Sequence, residues 1–339
     1  MTIAAILGCA GPTLSADERR FFGDADPLGF VLFQRNCQTP EQVRRLVQDM
    51  RDSVARGDAP VLIDQEGGRV ARLRPPALRK APAAGRFGVL AAHDKDSGIE
   101  AARLNAQLMG RELADLGITV DCAPVLDLQF EGASNVVGDR GFAADPELVA
   151  QTGRAVCEGL LAAGITPVLK HMPGHGRALV DSHHALPEVD TPLATLRQTD
   201  FVPFLRLADM PWAMTSHVLY KAIDPERPAT TSPVIIKDII RGELGFPGVL
   251  VSDDLSMEAL RGDLGDRAKR ARAAGCDLAL HCNGRLDEMR AVAAAAGELS
   301  SATRSRLARG PRSKARTEID TAGLERRLEA LMASTGDNV

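Results

Sequence analysis

Short apolar segments recur along the chain, and longer segments with helical periodicity lie between them. Residues 40–57, 99–117 and 145–164 place apolar side chains at the i, i+3, i+4 spacing of an amphipathic helix. Eight apolar segments bounded by Gly, Pro or Asp are typical of buried strands: 4–7, 29–33, 60–63, 119–122, 167–169, 213–215, 248–251 and 278–280. Eightfold alternation of strand and helix predicts an α/β fold, a parallel sheet closed into a (β/α)8 TIM barrel.

A doubly wound open sheet is the alternative to the barrel. Its dinucleotide-binding version needs GxGxxG after the first strand, and the segment from Gly8 to Gly11 is too short and wrongly spaced for that motif. We therefore predict a single catalytic barrel domain over residues 1–300. Residues 301–339 are predicted to form a basic connection, with a run from Arg304 to Arg316, and a final helix. That helix would carry Leu324, Leu328 and Leu331.

Composition and charge limit the kinds of molecule that the protein is expected to bind. A formal net charge of −4 over 339 residues gives no basic field for nucleic acid. No apolar run approaches the roughly 20 residues of a membrane span. Residues 6–9 loosely resemble a lipoprotein cleavage box, but no Lys or Arg precedes them, so a first buried strand is the simpler interpretation. Six scattered cysteines without a CxxC pair indicate a reducing compartment. We expect a cytoplasmic monomer or weak dimer.

Polar and titratable residues follow the predicted strands at the points where the strands end. In a (β/α)8 barrel, the carboxyl ends of the strands carry the functional groups. These strand exits contain Asp64, Gln65, Glu66, Arg69, Arg72, Asp121, Asp127, Lys170, His171, Ser216, His217, Asp253, Asp254, His281 and Asn283. Taken singly, Asp64 or Asp253 could cap a helix, and Lys170 or His171 could be a satisfied core group. Their joint occurrence at one rim favours an active site.

The stretch KHMPGHGRALVDSHH, residues 170–184, contains four of the seven histidines. Histidine titrates near neutrality and both gives and takes protons. In an extended loop, residues i and i+2 point to the same side, so Asp181 could orient the ring of His183 and stabilise its charged form. We predict that Asp181 holds the ring and His183 transfers the proton. A carboxylate at another strand end would then complete an acid/base and nucleophilic site.

A metal site is the competing interpretation of the histidine cluster. Pro173 and Gly174 separate His171 from His175, so these two are not a helical HxxxH pair, and the chain has no HExxH. Zinc could still bind within a set of four side chains, namely His175, Asp181, His183 and His184. We expect no metal and no cofactor, and we keep a metal-dependent hydrolase and a catalytically inactive sensor on the same fold as alternative hypotheses.

Three stretches, DQEGGRVARL, KHMPGHG…DSHH and SDDLSM, resemble the signature set of glycoside hydrolase family 3. The pattern is most similar to the single-domain bacterial β-N-acetylhexosaminidases of peptidoglycan recycling. The resemblance extends from the first predicted strand to about Asn283, and it implies a (β/α)8 barrel. Two departures lie in the loop: Met172 stands where Phe is usual, and Arg177 with Ala178 replaces a small or acidic polar pair.

The resemblance also implies roles for individual residues. Asp253 matches the catalytic nucleophile, and His183 matches an unusual general acid/base with Asp181 as its partner. The positions that hold the sugar are matched by Asp64, Arg72, Arg140, Lys170 and His171. The implied reaction is retaining removal of terminal β-linked N-acetylglucosamine from GlcNAc-1,6-anhydro-MurNAc peptides. Because a neutral histidine repels an incoming anion less than a carboxylate does, a phosphorylase using the same site is the alternative reaction.

Overall fold

A closed barrel of parallel strands forms the centre of the computed structural model, which describes residues 1–309 and 320–333. The strands are β1 (Ile3–Leu7), β2 (Pro27–Leu32), β3 (Val61–Ile63), β4 (Val120–Asp121), β5 (Thr166–Met172), β6 (Trp212–Thr215), β7 (Val249–Asp254) and β8 (Leu278–His281). Consecutive strands pair in parallel, and β1 closes the ring against β8, with Ala5 opposite Ala279. The structure confirms the predicted (β/α)8 fold.

Helices surround the barrel and follow its strands in alternation. They are α1 (Ala16–Ala25), α2 (Pro40–Ser53), α3 (Ala84–His93), α4 (Lys95–Asp115), α5 (Pro146–Ala162), α6 (Leu193–Gln198), α7 (Val202–Arg206), a π-helix (Ile235–Glu243), α8 (Leu264–Ala274), α9 (Leu286–Ala296), α10 (Ser301–Arg309) and α11 (Thr321–Ala333). The three predicted helices are present as α2, α4 and α5. Helix α4 begins before residue 99 because the Asp94 side chain accepts the N–H of Ser97 and caps it there.

Two strands extend three residues beyond their predicted ends at the rim that carries the polar residues. Strand β5 continues to Met172 instead of stopping at residue 169, and β7 continues to Asp254 instead of stopping at residue 251. The added residues include Lys170 and Asp253, which are charged. The predicted strands were too short because they were assigned from runs of apolar side chains, whereas the strands pair at this rim through backbone hydrogen bonds.

Apolar side chains fill the interior of the barrel. Successive strand residues point to opposite faces, so one set faces inward and the other packs against the helices. The buried inner set includes Ala4, Ile6, Val31, Leu62, Val120, Val168, Met214, Val249, Val251, Leu278 and Leu280. A filled interior leaves no passage through the barrel, and the space for a ligand lies at its carboxyl-terminal rim.

The C-terminal helices pack on the outside of the barrel. Thr303 and Arg306 of α10 both donate to the Asp277 carboxylate, at 2.9 Å and 2.6 Å. Leu328 and Leu331 are buried, which confirms the predicted final helix as α11. Of the predicted basic run, residues 310–316 lie outside the described residues, and the division of the chain at residue 300 stays a prediction. Within the described ranges, no helix is both long and apolar enough to cross a bilayer.

Candidate active site

A cavity of about 250 Å³ opens at the carboxyl-terminal rim of the barrel. All eight residues predicted for the site line it: Asp64, Arg72, Arg140, Lys170, His171, Asp181, His183 and Asp253. They come from the ends of four strands (β3, β4, β5 and β7) and from the loops that follow those ends, so the rim brings together side chains far apart in sequence. His217 and His281, which were also expected at this rim, are fully buried and do not line the cavity.

A chain of alternating charges forms one wall of the cavity. The Lys170 ammonium donates to Asp64 at 2.8 Å and lies 2.6 Å from a Glu66 oxygen. Arg72 donates to the other Asp64 oxygen at 2.9 Å, while Arg140 binds Glu66 through two bonds of 2.8 Å. Each charge thus has an opposite neighbour, which fixes these long side chains before a ligand arrives.

Burial and charge shift the pKa values of this wall in opposing directions. Burial by itself would raise the pKa of Asp64, but Lys170 and Arg72 lower it by more, so the carboxylate stays ionised well below neutral pH. Burial likewise disfavours the charged form of Lys170, yet Asp64 and Glu66 raise its pKa above the usual range. At neutral pH the wall therefore presents fixed charges rather than proton donors that titrate.

A small hairpin places Arg72 over the cavity. Strand segments Gln65–Gly67 and Val70–Ala71 pair antiparallel, and the Gln65 side-chain oxygen accepts the N–H of Arg72 at 3.0 Å. Gly67 adopts a φ of +92°, and a Cβ there would lie 2.3 Å from the Pro82 carbonyl oxygen. Glycine is required at this position for both reasons.

His171 is oriented by Asp127, a residue to which the sequence pattern assigned no role. The Asp127 carboxylate lies 2.7 Å from Nδ1 of His171 and also accepts the backbone N–H groups of His171 and His175. Because a carboxylate accepts, Nδ1 carries the hydrogen, and Nε2 of His171 is the ring atom free to meet a ligand. The sequence placed Glu66 and Asp127 at strand exits but did not indicate the partner of either.

The loop that carries His183 is held at its base by a second histidine. Nε2 of His175 lies 3.1 Å from the Ser182 hydroxyl, and burial is the main cause that lowers the pKa of His175 to about 4. Gly176 packs so closely that a Cβ would lie 2.2 Å from the Leu128 carbonyl oxygen. The neutral His175 and the tight contact at Gly176 anchor both sides of the loop next to Asp181.

Asp181 and His183 make the contact that their spacing predicted. Nδ1 of His183 lies 2.8 Å from Asp181 Oδ1, which also accepts the His183 backbone N–H at 2.9 Å. Burial opposes ionisation of Asp181, but the His183 N–H and ring hold the pKa of the carboxyl below its usual value. The side chain of His183 is 62% exposed and lines the cavity, and its Nε2 has no hydrogen-bond partner among the described residues.

Asp253 reaches the cavity from the end of β7. Its Oδ1 accepts the backbone N–H of Asp254 at 2.8 Å, whereas Oδ2 has no hydrogen-bond partner among the described residues. Burial alone would raise the pKa of Asp253, but the imidazoles of His217 and His171 and the Asp254 N–H lower it by more. Asp253 is thus an ionised carboxylate with one oxygen directed by the backbone and one available for reaction.

The histidines bind different partners and do not surround a common point. His171 contacts Asp127, His175 contacts Ser182, and His183 contacts Asp181. Over residues 1–309 and 320–333, no three His, Cys, Asp or Glu side chains converge as a metal site requires. The geometry fits proton transfer and hydrogen bonding to a polar ligand.

An ionised carboxylate and a side chain able to transfer a proton, lining one cavity, supply the two functions that a retaining glycosidase needs. The sequence matches the model of the glycosyl hydrolase family 3 N-terminal domain over residues 15–309. The chain belongs to glycosyl hydrolase family 3. This membership confirms the resemblance that the three sequence stretches indicated.

Similar proteins within family 3 include named β-hexosaminidases. A β-hexosaminidase of Pseudomonas aeruginosa is 40% identical over 331 residues, covering 97% of this chain and 96% of the relative. A β-hexosaminidase of Alkalilimnicola ehrlichii is 43% identical over 285 residues, covering 82% and 80%. NagZ from Neisseria gonorrhoeae in complex with N-trifluoroacetyl-D-glucosamine superposes with a TM-score of 0.88 at 29% identity, covering 98% of each chain. This family 3 protein is a glycoside hydrolase of the β-N-acetylhexosaminidase class.

Proposed function

We propose that the protein is a retaining exo-β-N-acetylglucosaminidase that acts on GlcNAc-1,6-anhydro-MurNAc peptides, fragments derived from peptidoglycan. The observation that carries the proposal is one cavity of about 250 Å³ that joins the free oxygen of Asp253 to the pair of Asp181 and His183. A cavity of this size has room for about one sugar residue, as removal of a terminal sugar requires. The N-trifluoroacetyl-D-glucosamine bound by the Neisseria relative supports an N-acylated glucosamine as that sugar.

In the first step, Oδ2 of Asp253 attacks the anomeric carbon of the bound sugar. The bond between that carbon and the leaving-group oxygen breaks as the bond to Asp253 forms. His183 gives the proton on Nε2 to the departing oxygen, and Asp181 stabilises the charged ring before the transfer through its 2.8 Å contact with Nδ1. The products are a glycosyl ester on Asp253, a neutral His183 and the released aglycone.

In the second step, water replaces the ester oxygen at the anomeric carbon. Neutral His183 takes a proton from the water through Nε2, and the bond between the sugar and Asp253 breaks as the new bond forms. Two displacements at one carbon restore the original configuration, so the β anomer is released. The 62% exposure of His183 supports this step, because an exposed ring is accessible to both the aglycone and the incoming water.

The charged wall binds the sugar in this proposal. Asp64 accepts hydrogen bonds from sugar hydroxyl groups, and Arg72, Lys170, Arg140 and His171 donate to oxygen atoms of the ring substituents. Because Asp64 already binds Lys170 at 2.8 Å and Arg72 at 2.9 Å, its orientation does not have to be set at the moment of binding. Preorganised contacts of this kind hold the anomeric carbon in line with Asp253.

A phosphorylase that uses the same residues is the second candidate. The acid/base group is an exposed imidazole rather than a carboxylate, and after the first step a neutral ring does not repel phosphate. Phosphate would then displace the sugar from Asp253 and release a sugar 1-phosphate with the same net retention. The two candidates differ only in the acceptor of the second step.

The substrate is a small glycan in this proposal, and the anhydro-muropeptide aglycone places the enzyme in the cytoplasm. The resemblance to the enzymes of peptidoglycan recycling supports this aglycone. A monomer or weak dimer suffices, because every proposed site residue lies in one chain.

The test combines an aryl β-N-acetylglucosaminide, EDTA and phosphate. Release of nitrophenol in EDTA, with the β anomer of N-acetylglucosamine as the first product, supports the proposal. Accumulation of N-acetylglucosamine 1-phosphate when phosphate is added favours the phosphorylase. Loss of turnover in EDTA with recovery on adding zinc would replace both with a metal-dependent hydrolase. Cleavage of the purified anhydro-disaccharide peptide, compared with chitobiose, then tests the aglycone.

A further inference from the structure

The segment that follows β6 contains a buried histidine that the mechanism does not use. His217 is fully buried and lies outside the cavity lining. Both of its ring nitrogens nevertheless have partners, and one partner is the backbone carbonyl of Asp254, the residue after Asp253. A buried imidazole with two satisfied nitrogens beside a reactive carboxylate points to a role in holding that carboxylate.

The hydrogen bonds of His217 determine its tautomer. Nε2 lies 3.0 Å from the Asp254 carbonyl oxygen, which only accepts, so Nε2 carries a hydrogen. Burial is the main cause that lowers the pKa of His217, so the ring is neutral at neutral pH. Nδ1 is therefore an acceptor, and it receives the hydrogen of the Thr230 hydroxyl at 2.7 Å. That hydroxyl also lies 3.0 Å from the Ser216 carbonyl oxygen. Because the hydroxyl has a single hydrogen and the contact with Nδ1 is the shorter one, it donates to Nδ1 and not to Ser216.

The same hydroxyl group connects His217 to the other side of Asp253. Thr230 Oγ1 lies 2.7 Å from the Thr215 hydroxyl, which is positioned to donate to it. Thr215 in turn accepts the backbone N–H of Asp253 at 3.3 Å. One continuous network thus runs from the N–H of Asp253, through two threonines and His217, to the carbonyl of Asp254. It is buried, because Thr215 and Thr230 are each 0% exposed.

We propose that His217 is a positioning residue for Asp253, fixed by Thr230 in its neutral Nε2–H tautomer, and that this network sets the direction of Asp253 Oδ2. The inference rests on the proposed function of Asp253 as nucleophile. With the peptide units on both sides held, the Asp254 N–H keeps its 2.8 Å bond to Oδ1 and leaves Oδ2 for attack. A displacement of about 1 Å at a reacting atom reduces rates by about 10²-fold.

Thr230 offers a matched pair of variants for the test. Thr230→Val keeps the shape of the side chain and removes the hydroxyl, whereas Thr230→Ser keeps the hydroxyl. Because Thr230 does not line the cavity, we expect Thr230→Val to lower kcat for the aryl glycoside by about 10²-fold with little change in KM. Thr230→Ser should retain kcat near the wild-type value.

A purely structural role predicts a different pattern. Equal kcat values for the valine and serine variants, or an unchanged kcat in Thr230→Val, would overturn the proposal. If Thr230→Val fails to fold, His217→Gln replaces it, since its amide still donates from the position of Nε2, and His217→Leu removes that donor. The glutamine variant should then exceed the leucine variant in kcat, and equal values would count against positioning.

A spectroscopic measurement tests the tautomer directly. In protein labelled with ¹⁵N-histidine, the resonances lost in His217→Gln should show the shifts of a neutral Nε2–H ring at about pH 7. A neutral Nδ1–H ring or a doubly protonated ring at that position would contradict the assignment. Asp253→Asn separates this inference from the proposed function. If Asp253→Asn stays active, the proposed nucleophile is wrong; if it is inactive while Thr230→Val is unaffected, only the positioning role is wrong.

Discussion

Glu66 binds the guanidinium of Arg140 through two hydrogen bonds of 2.8 Å, and the two residues are 74 positions apart in the chain. The same carboxylate lies 2.6 Å from the Lys170 ammonium. Glu66 therefore holds two of the cations that face the proposed sugar. It touches no predicted catalytic residue, and its influence on the reaction passes through Arg140 and Lys170.

Replacing Glu66 with Gln should destabilise the fold. The change leaves Arg140 and Lys170 buried with one negative charge fewer, and breaking a buried ion pair costs about 3–5 kcal/mol of unfolding free energy. Urea unfolding measures the loss. Glu243→Gln is the matched control, because Glu243 pairs with Arg197 where both side chains are exposed by 32% and 49%, and it should lose less than about 1 kcal/mol. Similar losses in the two variants would show that Glu66 contributes no more to the free energy of unfolding than a residue of an exposed ion pair does.

The decrease of the unfolding free energy at acidic pH should also depend on Glu66. Burial opposes its ionisation, but Lys170 and Arg140 prevail and lower the pKa of Glu66 from 4.5 to about 2. A carboxyl with a depressed folded-state pKa binds protons more readily when unfolded. The contribution of ionised Glu66 to the free energy of unfolding is therefore fully present above pH 4.5 and is lost as the pH falls toward about 2. Unfolding free energies measured across this window should fall less steeply with decreasing pH in Glu66→Gln than in the wild type.

Much of the fold follows from the sequence, because the apolar segments of a barrel are short, regularly spaced and bounded by turn residues. The contact between Asp181 and His183 was also within reach, since residues two apart in an extended loop lie on one side. Its catalytic role stays a prediction.

The partners of Glu66 and Asp127 were not predictable in the same way. Their bonds to Arg140 and His171 span 74 and 44 positions and depend on which strands are neighbours in the closed barrel. The lengths of β5 and β7 were missed for a related reason, because the charged residues at their ends belong to the strands through backbone pairing and not through apolar side chains.

Replacing His183 with Ala should slow the reaction by about 10²- to 10⁴-fold, the usual contribution of a general acid/base. The loss should be smallest for substrates with the most acidic phenol leaving groups, which depart without a proton. Added azide should restore part of the rate and yield a β-glycosyl azide, because this anion needs no base. His184→Ala is the control, since His184 is exposed and lies outside the cavity lining, and its rate should match the wild type. A leaving-group dependence equal to that of the wild type would exclude His183 as the acid.

Replacing Gly176 with Ala should damage the base of the loop. The added Cβ would lie 2.2 Å from the Leu128 carbonyl oxygen, so the backbone has to move. Overpacking of this kind costs about 1–3 kcal/mol, and the displaced loop should also lower kcat. Gly57→Ala is the control, since nothing lies within 4 Å of its Cβ and its φ is not positive. Thermal unfolding and kcat measured on both variants should separate them, and a Gly176→Ala enzyme with normal values would refute the tight contact.

The central claim is that Asp253 forms the covalent intermediate. Intact-mass measurement of the enzyme incubated with 5-fluoro-N-acetylglucosaminyl fluoride, a substrate that slows the second step, tests it most directly. We predict a mass increase of one fluorinated sugar, located by peptide mapping on Asp253 and absent in Asp253→Asn. An adduct on another residue, or rapid turnover of the wild type through an inverted α product with no adduct, would contradict the account.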